Sequence, residues 1–504
     1  SLVGSEMCIR DRANGEGETL AAVENWWGDP SGPGGVAPGT GDDITAGVDY
    51  CPWLDQAAPQ GMPVSPSGSY ATTSTDGHTT EYCTIEEALF ASQGSNQTVL
   101  VQPGNWAPEH FYRSYLDSPD VTVRSAGPEA ATVEGLLLSG AQFSGLTLRG
   151  LTFVGEAPDT TVPYQIVIDT GGAYEGLALI DNIFDGGDAN DRGALFIDQP
   201  ATNILVTGNY LHNFGLSQGG ATSLVAVARE AGEIGQGFTF NGNQIVDSTH
   251  VNALRVKRWS DVRVENNLIG GGAVSVSAPS SGGSAALGST AVISNVLTLD
   301  GGNAIDLLDI DARVAVSGNQ VTGADTCISS IGVTTVEVRD NTLQQCGDRG
   351  LQVGDADTAT VSATIEGNRF ISSPVGVENS TPALELDVCS NYFEAVAAST
   401  FANPGPFTIC PSIVEKFNDT NFNGVRDDDE PGLPGWIFTV SRDGDRVFTG
   451  ESNLDGIVSL PDLPPGDYEV CEILRPGWIN TTDLCQPVTY GPDRVNRLQF
   501  GNVL

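Results

Sequence analysis

Residues 419–430 read Asp-Thr-Asn-Phe-Asn-Gly-Val-Arg-Asp-Asp-Asp-Glu, a twelve-residue string suited to holding a hard cation. Calcium takes about six to eight oxygen ligands, and a loop of this length supplies them in a fixed order. Asp419, Asn421 and Asn423 place side-chain oxygens at positions 1, 3 and 5. Gly424 allows the sharp turn at position 6, and Val425 offers its carbonyl at position 7. Asp427 occupies position 9, and Glu430 at position 12 can close the site with two oxygens. An acidic, glycine-containing turn is the alternative reading. The six matched positions favour a cation loop, so calcium is the expected cofactor. No helix-forming periodicity flanks the string, which makes it a loop set among strands and not a paired helical sensor.

A second group is basic. In Ala253-Leu254-Arg255-Val256-Lys257-Arg258 the alternation turns Leu254 and Val256 to one side and Arg255 with Lys257 to the other, with His250 just upstream and Arg263 beyond. Such a face could grip an acidic sugar. With His250 as base it would be the apparatus of a lyase or glycoside hydrolase acting on an acidic polysaccharide. Asp306, Asp309 and Asp311 form a third group, able to hold calcium or act as paired carboxylates. Neither group completes a known catalytic motif, and solvated outward residues are the alternative for both. No catalytic residue is therefore assigned.

The chain carries 64 acidic and 22 basic residues, a formal net charge of −42 over 504 residues. Only Lys257 and Lys416 are lysines. A surface so negative repels phosphate backbones and anionic lipid, which argues against nucleic acid and membrane surfaces as partners. No apolar run is long enough for a membrane span. The length implies more than one folding unit, and 62 glycines among short Val/Ile/Leu-rich runs imply many turns between strands. Residues 1–12, SLVGSEMCIRDR, differ sharply from the rest of the chain and read as a translated sequencing adapter. A missing leader peptide is therefore uninformative. Cys51, Cys83, Cys327, Cys346, Cys389, Cys410, Cys471 and Cys485 remain once Cys8 is set aside, with no zinc-type spacing. Pairing neighbours in order gives 51–83, 327–346, 389–410 and 471–485 as expected disulfides, hence an oxidising, extracellular or cell-surface location. Buried free thiols are the alternative.

A short pattern returns nine times: a small or polar residue, then Asn, any residue, and an apolar one. It falls at Asn182, Asn209, Asn243, Asn267, Asn295, Asn319, Asn341, Asn368 and Asn391, at separations of 22 to 34 residues. An alternating strand precedes each Asn and a short apolar strand comes after it. A period of this size with several strands and no helix indicates a β-solenoid, and an Asn recurring at a turn can bond its counterparts one rung above and below. The pattern resembles the right-handed parallel β-helix repeat family, the pectate-lyase-like architecture, over 83–410. CTIEEALFASQ at its start predicts a short capping helix. Upstream, NWWGDPSGP and the remainder of 13–54 resemble the end of a preceding β-helix, and the Pro/Ser/Thr/Gly-rich residues 55–82 read as a linker.

Residues 411–504 alternate strand-like runs with Gly/Pro/Asp turns, the pattern of a small β-sandwich. KFNDTNFNGVRDDDEPGLPGW, LPPGDYEVCEILRPGW and the final FGN resemble the B-type domain of SD-repeat bacterial surface proteins, relatives of collagen-adhesin B domains. The resemblance implies a calcium-stabilised stalk unit without catalysis. Some collagen-adhesin B domains also form a Lys–Asn isopeptide bond promoted by a buried acid, and the order Lys416, Glu472, Asn502 matches that arrangement. A calcium-only domain stapled by 471–485, with Lys416 at the surface, is the alternative. The expectation is thus an all-β chain, a right-handed parallel β-helix followed by a small β-sandwich. It would serve as an exported structural or adhesive protein that spaces or contacts glycans. A polysaccharide lyase or glycoside hydrolase is the second reading.

Overall fold

The structure is a computed structural model. It describes residues 97–504 apart from short stretches between them, the strand backbones within 20–82, and Ile85, Ala88 and Leu89. The chain is all-β and forms two compact units, 1–250 and 251–504. Among the described residues no helix is long and apolar enough to cross a membrane.

In the first unit successive rungs add strands to three parallel sheets. Thr122–Ser125, Thr147–Arg149, Ala178–Ile180, Ala201–Thr207 and Gly235–Asn241 build one of them, each in register with its predecessor. Ile183–Asp185, Tyr210–His212 and Gln244–Ile245 belong to a second. Tyr164–Asp169, Gly193–Ile197 and Ser223–Ala228 belong to a third. The alternating residues Val99, Val123, Leu148, Leu179 and Val206 all face the interior and are buried. Phe153 and Phe184 stack between rungs with ring centroids 5.2 Å apart. Ile85, Ala88 and Leu89 are helical and buried, as the capping segment predicted. Inside the expected linker, Ala71–Thr75 pairs antiparallel with His78–Tyr82 on one side and with Thr98–Val101 on the other. The run of Thr there outweighs the neighbouring Gly and Pro, since β-branched residues favour an extended backbone.

The second unit contains the same three kinds of parallel sheet and then two small sheets. Its rungs pair, for example, Arg313–Ser317 with Thr335–Arg339 and Gln320–Thr322 with Thr342–Gln344. Cys327 and Cys346 are disulfide-bonded, with Cα atoms 5.7 Å apart.

Asparagines align the rungs within each unit. In the second, the Nδ2 groups of Asn267, Asn295, Asn319, Asn341 and Asn368 each donate to the Oδ1 of the next Asn, ending at Asn391, at 2.8–2.9 Å. In the first unit Asn182 donates to Asn209 and Asn209 to Asn243. The backbone N–H of each donor reaches the same oxygen, as Asn295 does to Asn319 at 2.9 Å. The second amide proton goes to a carbonyl, as from Asn319 to Val292 at 2.8 Å. The residue before eight of the nine asparagines has positive φ: Asp181, Gly208, Gly242, Asn266, Ser294, Gly318, Asp340 and Gly367. Only Gly, and Asn or Asp at modest cost, enters that region readily, which accounts for the small or polar residue in the repeat.

The C-terminal segment holds two four-stranded sheets. One has the order Ile457–Ser459, Ile413–Asn418, Arg497–Val503, Ile479–Asn480, with the two middle strands parallel. The other is antiparallel: Asp445–Glu451, Ile437–Arg442, Gly466–Glu472, Cys485–Tyr490. Val414, Trp436, Phe438, Val440, Val458, Tyr468, Val470, Val488 and Phe500 pack into one core between them. This is the sandwich that the alternation predicted.

Replacing Asn319 by Ala would strand the amide groups of Asn295, the carbonyl of Val292 and Asn341 Oδ1 in the dry interior. The expected loss is about 3 kcal/mol or more, read from the urea midpoint. Gln320→Ala, on the exposed side of the adjoining strand, should change stability by less than about 0.5 kcal/mol.

Candidate functional site

The parallel pairing of the first and last sandwich strands sets Lys416 opposite Phe500 and Asn418 opposite Asn502. Alternation then turns Val414 and Lys416 inward from one strand and Phe500 and Asn502 from the other. From the facing sheet Tyr468, Val470 and Glu472 point inward by the same rule. Three polar side chains thus occupy positions that the pattern reserves for apolar ones. Lys416 and Asn502 are fully buried, and Glu472 is only 6% exposed.

The three meet. Glu472 Oε2 lies 2.9 Å from Lys416 Nζ, and Glu472 Oε1 accepts a hydrogen bond from Asn502 Nδ2 at 2.8 Å. Lys416 Nζ also donates to the Phe500 carbonyl at 2.9 Å and sits 4.4 Å from the centre of the Trp436 ring. Burial drives the Lys416 amine down to about 8, against the opposing pull of the Glu472 carboxylate. Asn502 Oδ1 is buried and has no hydrogen-bond partner. The arrangement brings an amine that sheds its proton easily, a carboxylate and a primary amide together in a place closed to water. The reaction open to such a set of groups is aminolysis of the amide.

Trp436 was not foreseen as part of this site. Its signal is the alternation Trp436, Phe438, Val440, which points the indole into the same core. Glu415, beside Lys416, was also missed. It is buried on the opposite face, where it receives Arg497 at 2.5 Å, Arg426 at 3.3 Å and Gln499 at 3.1 Å. These partners hold its carboxyl below the ordinary range although burial alone would raise it.

The expected cation loop leaves the first strand at Asn418. Gly424, at position 6, has φ +75°, and its amide donates to Asp419 Oδ2 at 2.8 Å. Glu430 spans the loop ends, Oε1 accepting from Thr420 N at 2.8 Å and Oε2 from Asp427 N at 3.2 Å. Asn421 and Asn423 both turn amide nitrogens toward Asp427 Oδ2, at 2.5 and 2.9 Å. Asp419 is fully buried and Glu430 nearly so. Backbone N–H groups compensate both buried carboxylates, and Asp419, Asp427 and Glu430 do not converge on one point among the described residues; it is the chemistry of the donor set, oxygens throughout, that fits a hard cation. Calcium there would be held by Asp419, Asn421, Asn423, the Val425 carbonyl, Asp427 and Glu430.

The other groups come out differently. Lys257 is only 6% exposed and Arg255 is half-buried, so the outward basic face expected from alternation is not formed. Both sides of the Asn252–Lys257 strand are covered, and alternation there does not separate inside from outside. His250 is buried, with Ser248 Oγ 3.2 Å from its Nδ1 and its ring edge-on to Phe214. Arg263 is exposed and paired with Glu265 at 2.7 Å. Asp306 accepts from Asn303 at 3.0 Å, Asp311 from Thr334 at 2.8 Å, and Asp309 occupies a positive-φ turn. Among the described residues these three do not approach closely enough to share an ion. Cys471 and Cys485 are disulfide-bonded directly across two strands, while Cys51, Cys83, Cys389 and Cys410 lie outside the described residues. Compared with known proteins, the chain matches no family model and no curated sequence.

The Lys416 environment predicts a pH effect in an Asn502→Ala chain, where the amine stays free. An unfolded lysine holds its proton to about pH 10.4, whereas folded Lys416 releases it near 8. Between those values the unfolded chain binds more protons, so stability rises as pH increases. Urea unfolding from pH 8 to 10, set against the Lys416→Met, Asn502→Ala double variant, reads the effect. Parallel profiles would mean an amine open to solvent.

Proposed function

We propose that the C-terminal sandwich is a self-crosslinking, calcium-stabilised stalk domain, akin to the B-type domains of SD-repeat surface proteins. The chain as a whole would be an exported bacterial structural or adhesive protein, its β-helix giving length or contact with glycans. The observation that carries this reading is the buried meeting of Lys416, Glu472 and Asn502.

The neutral Lys416 amine attacks Asn502 Cγ, and Glu472 takes the proton that the amine loses. The tetrahedral carbon collapses, the bond from Cγ to Nδ2 breaks, and Glu472 returns the proton to the departing nitrogen. One secondary amide and one ammonia result, with no change of oxidation state. Neither external reagent nor water is needed, which suits a site this dry.

The position of such a bond matters mechanically. Lys416 lies three residues into the first strand, Ile413–Asn418, and Asn502 one residue from the end of the last, and those strands run parallel. Tension entering at Ile413 and leaving at Val503 would cross the covalent bond and bypass everything from Phe417 to Gly501. A stalk under shear gains from that route, because the hydrogen bonds between are never loaded. The two disulfides agree with an exported location.

Intact mass of the purified chain should fall one ammonia below the sequence value. Proteolysis should yield the Lys416 and Asn502 peptides joined, and neither result should appear in Lys416→Ala or Asn502→Ala. An unshifted mass in the unaltered chain would end the crosslinking reading. Separately, chelating calcium should lower the melting temperature of the sandwich, an effect that Asp427→Ala should mimic without chelator.

A further inference from the structure

The cation loop and the crosslinking site are built on the same two strands. Asp419, the first expected ligand, donates its backbone N–H to the Asn502 carbonyl at 3.0 Å. Lys416 precedes it by three residues, and its carbonyl accepts from Leu433 N at 2.8 Å, just beyond the loop's closing Glu430. Asn418 N reaches the Pro431 carbonyl at 3.0 Å, so both loop exits are tied to the Lys416 strand. Glu415 adds a side-chain tie, binding Arg426 from inside the loop and Arg497 from the Asn502 strand. On the far side Gly424 approaches Thr481 and Thr482, and Thr482 Oγ1 accepts from Gly501 N at 3.1 Å. Asn502 is therefore flanked on one side by the loop's first residue and on the other by the segment under the loop's turn.

We infer that Asp419 is a positioning residue, through which cation binding in the 419–430 loop and formation of the Lys416–Asn502 bond favour each other. This rests on the crosslinking reading above. Closing the loop on a divalent cation fixes the Asp419 carboxylate and, through its N–H, the backbone of Asn502. The Asn502 amide is then held against Glu472 and Lys416. A loop without a cation leaves its acidic side chains repelling one another and the strand pair freer to fray. The same ties act in the other direction: once the bond joins the two strands, the loop is preorganised and holds the cation more tightly.

The test uses the full chain, made by cell-free synthesis in chelator and then divided between calcium, magnesium and continued chelation. Ammonia loss is followed by intact mass, and calcium affinity is measured by calorimetry on crosslinked chain and on Lys416→Met. Calcium should speed the mass change about tenfold over chelator, and the crosslinked chain should bind calcium about tenfold more tightly than Lys416→Met. Asp427→Asn, altered only within the loop, should crosslink at the chelator rate whether or not calcium is present. Equal rates together with equal affinities would overturn the coupling while leaving the crosslink intact. No ammonia loss under any condition would instead overturn the crosslinking reading on which it rests.

Discussion

A polar side chain taken out of water must find its hydrogen bonds among fixed neighbours, and that requirement organises this molecule. Within each unit the ladder asparagines satisfy it by facing one another. Asn319 is typical: its Oδ1 collects the backbone and side-chain N–H of Asn295, and its Nδ2 serves Asn341 and the Val292 carbonyl. A slip of one residue in the rung of Asn319 would break five bonds at once and turn the apolar residues outward. Hydrophobic burial drives the rungs together, and the ladder adds to the apolar alternation a second, directional penalty against every wrong register. This is why sequence between the asparagines is free to vary from 22 to 34 residues.

That device was readable in the sequence because it has a rigid spatial demand. The Asn recurs, the apolar residue two positions later recurs, and the residue before it must tolerate positive φ. The solenoid fold was read from the recurrence and its period; the positive φ explains why the residue before the Asn is small or polar. Other features were legible only in part. The alternation around Arg255 and Lys257 named the right strand but the wrong exposure, because alternation predicts two faces and not what covers the second. The pairing of Ala71–Thr75 with His78–Tyr82 was hidden by composition: Gly, Pro and Ser around it speak for a linker, and only the local run of Thr speaks for strands.

The sandwich was legible at a different level. Its strands and its cation loop could be read from turn residues and oxygen spacing. That Lys416, Glu472 and Asn502 converge could not be, because pairing between a first and a last strand is set by topology far apart in sequence. A resemblance to a known family supplied the trio. Yet a purely physical signal was present: in Val-Glu-Lys, Tyr-Glu-Val-Cys-Glu and Phe-Gly-Asn, the position in step with a buried apolar residue is polar in all three strands. Polar residues in core phase are expensive and therefore informative. Glu415 shows the limit of that rule, since it is buried out of phase, beneath Arg426 and Arg497, and nothing in the alternation points to it.

The same side chain thus takes two roles in one chain, and saturation separates them. In the ladder Asn319 has its oxygen occupied twice and its nitrogen twice, so any change at the carbonyl carbon would cost several bonds. In the sandwich Asn502 gives one bond to Glu472 and keeps an oxygen without a donor. An amide held on all sides is a structural element. One held on a single side, with an amine of lowered proton affinity across a shared carboxylate, has somewhere to go. On the proposed reading, the fold protects nine asparagines by completing their hydrogen bonds and exposes one to reaction by leaving its set incomplete.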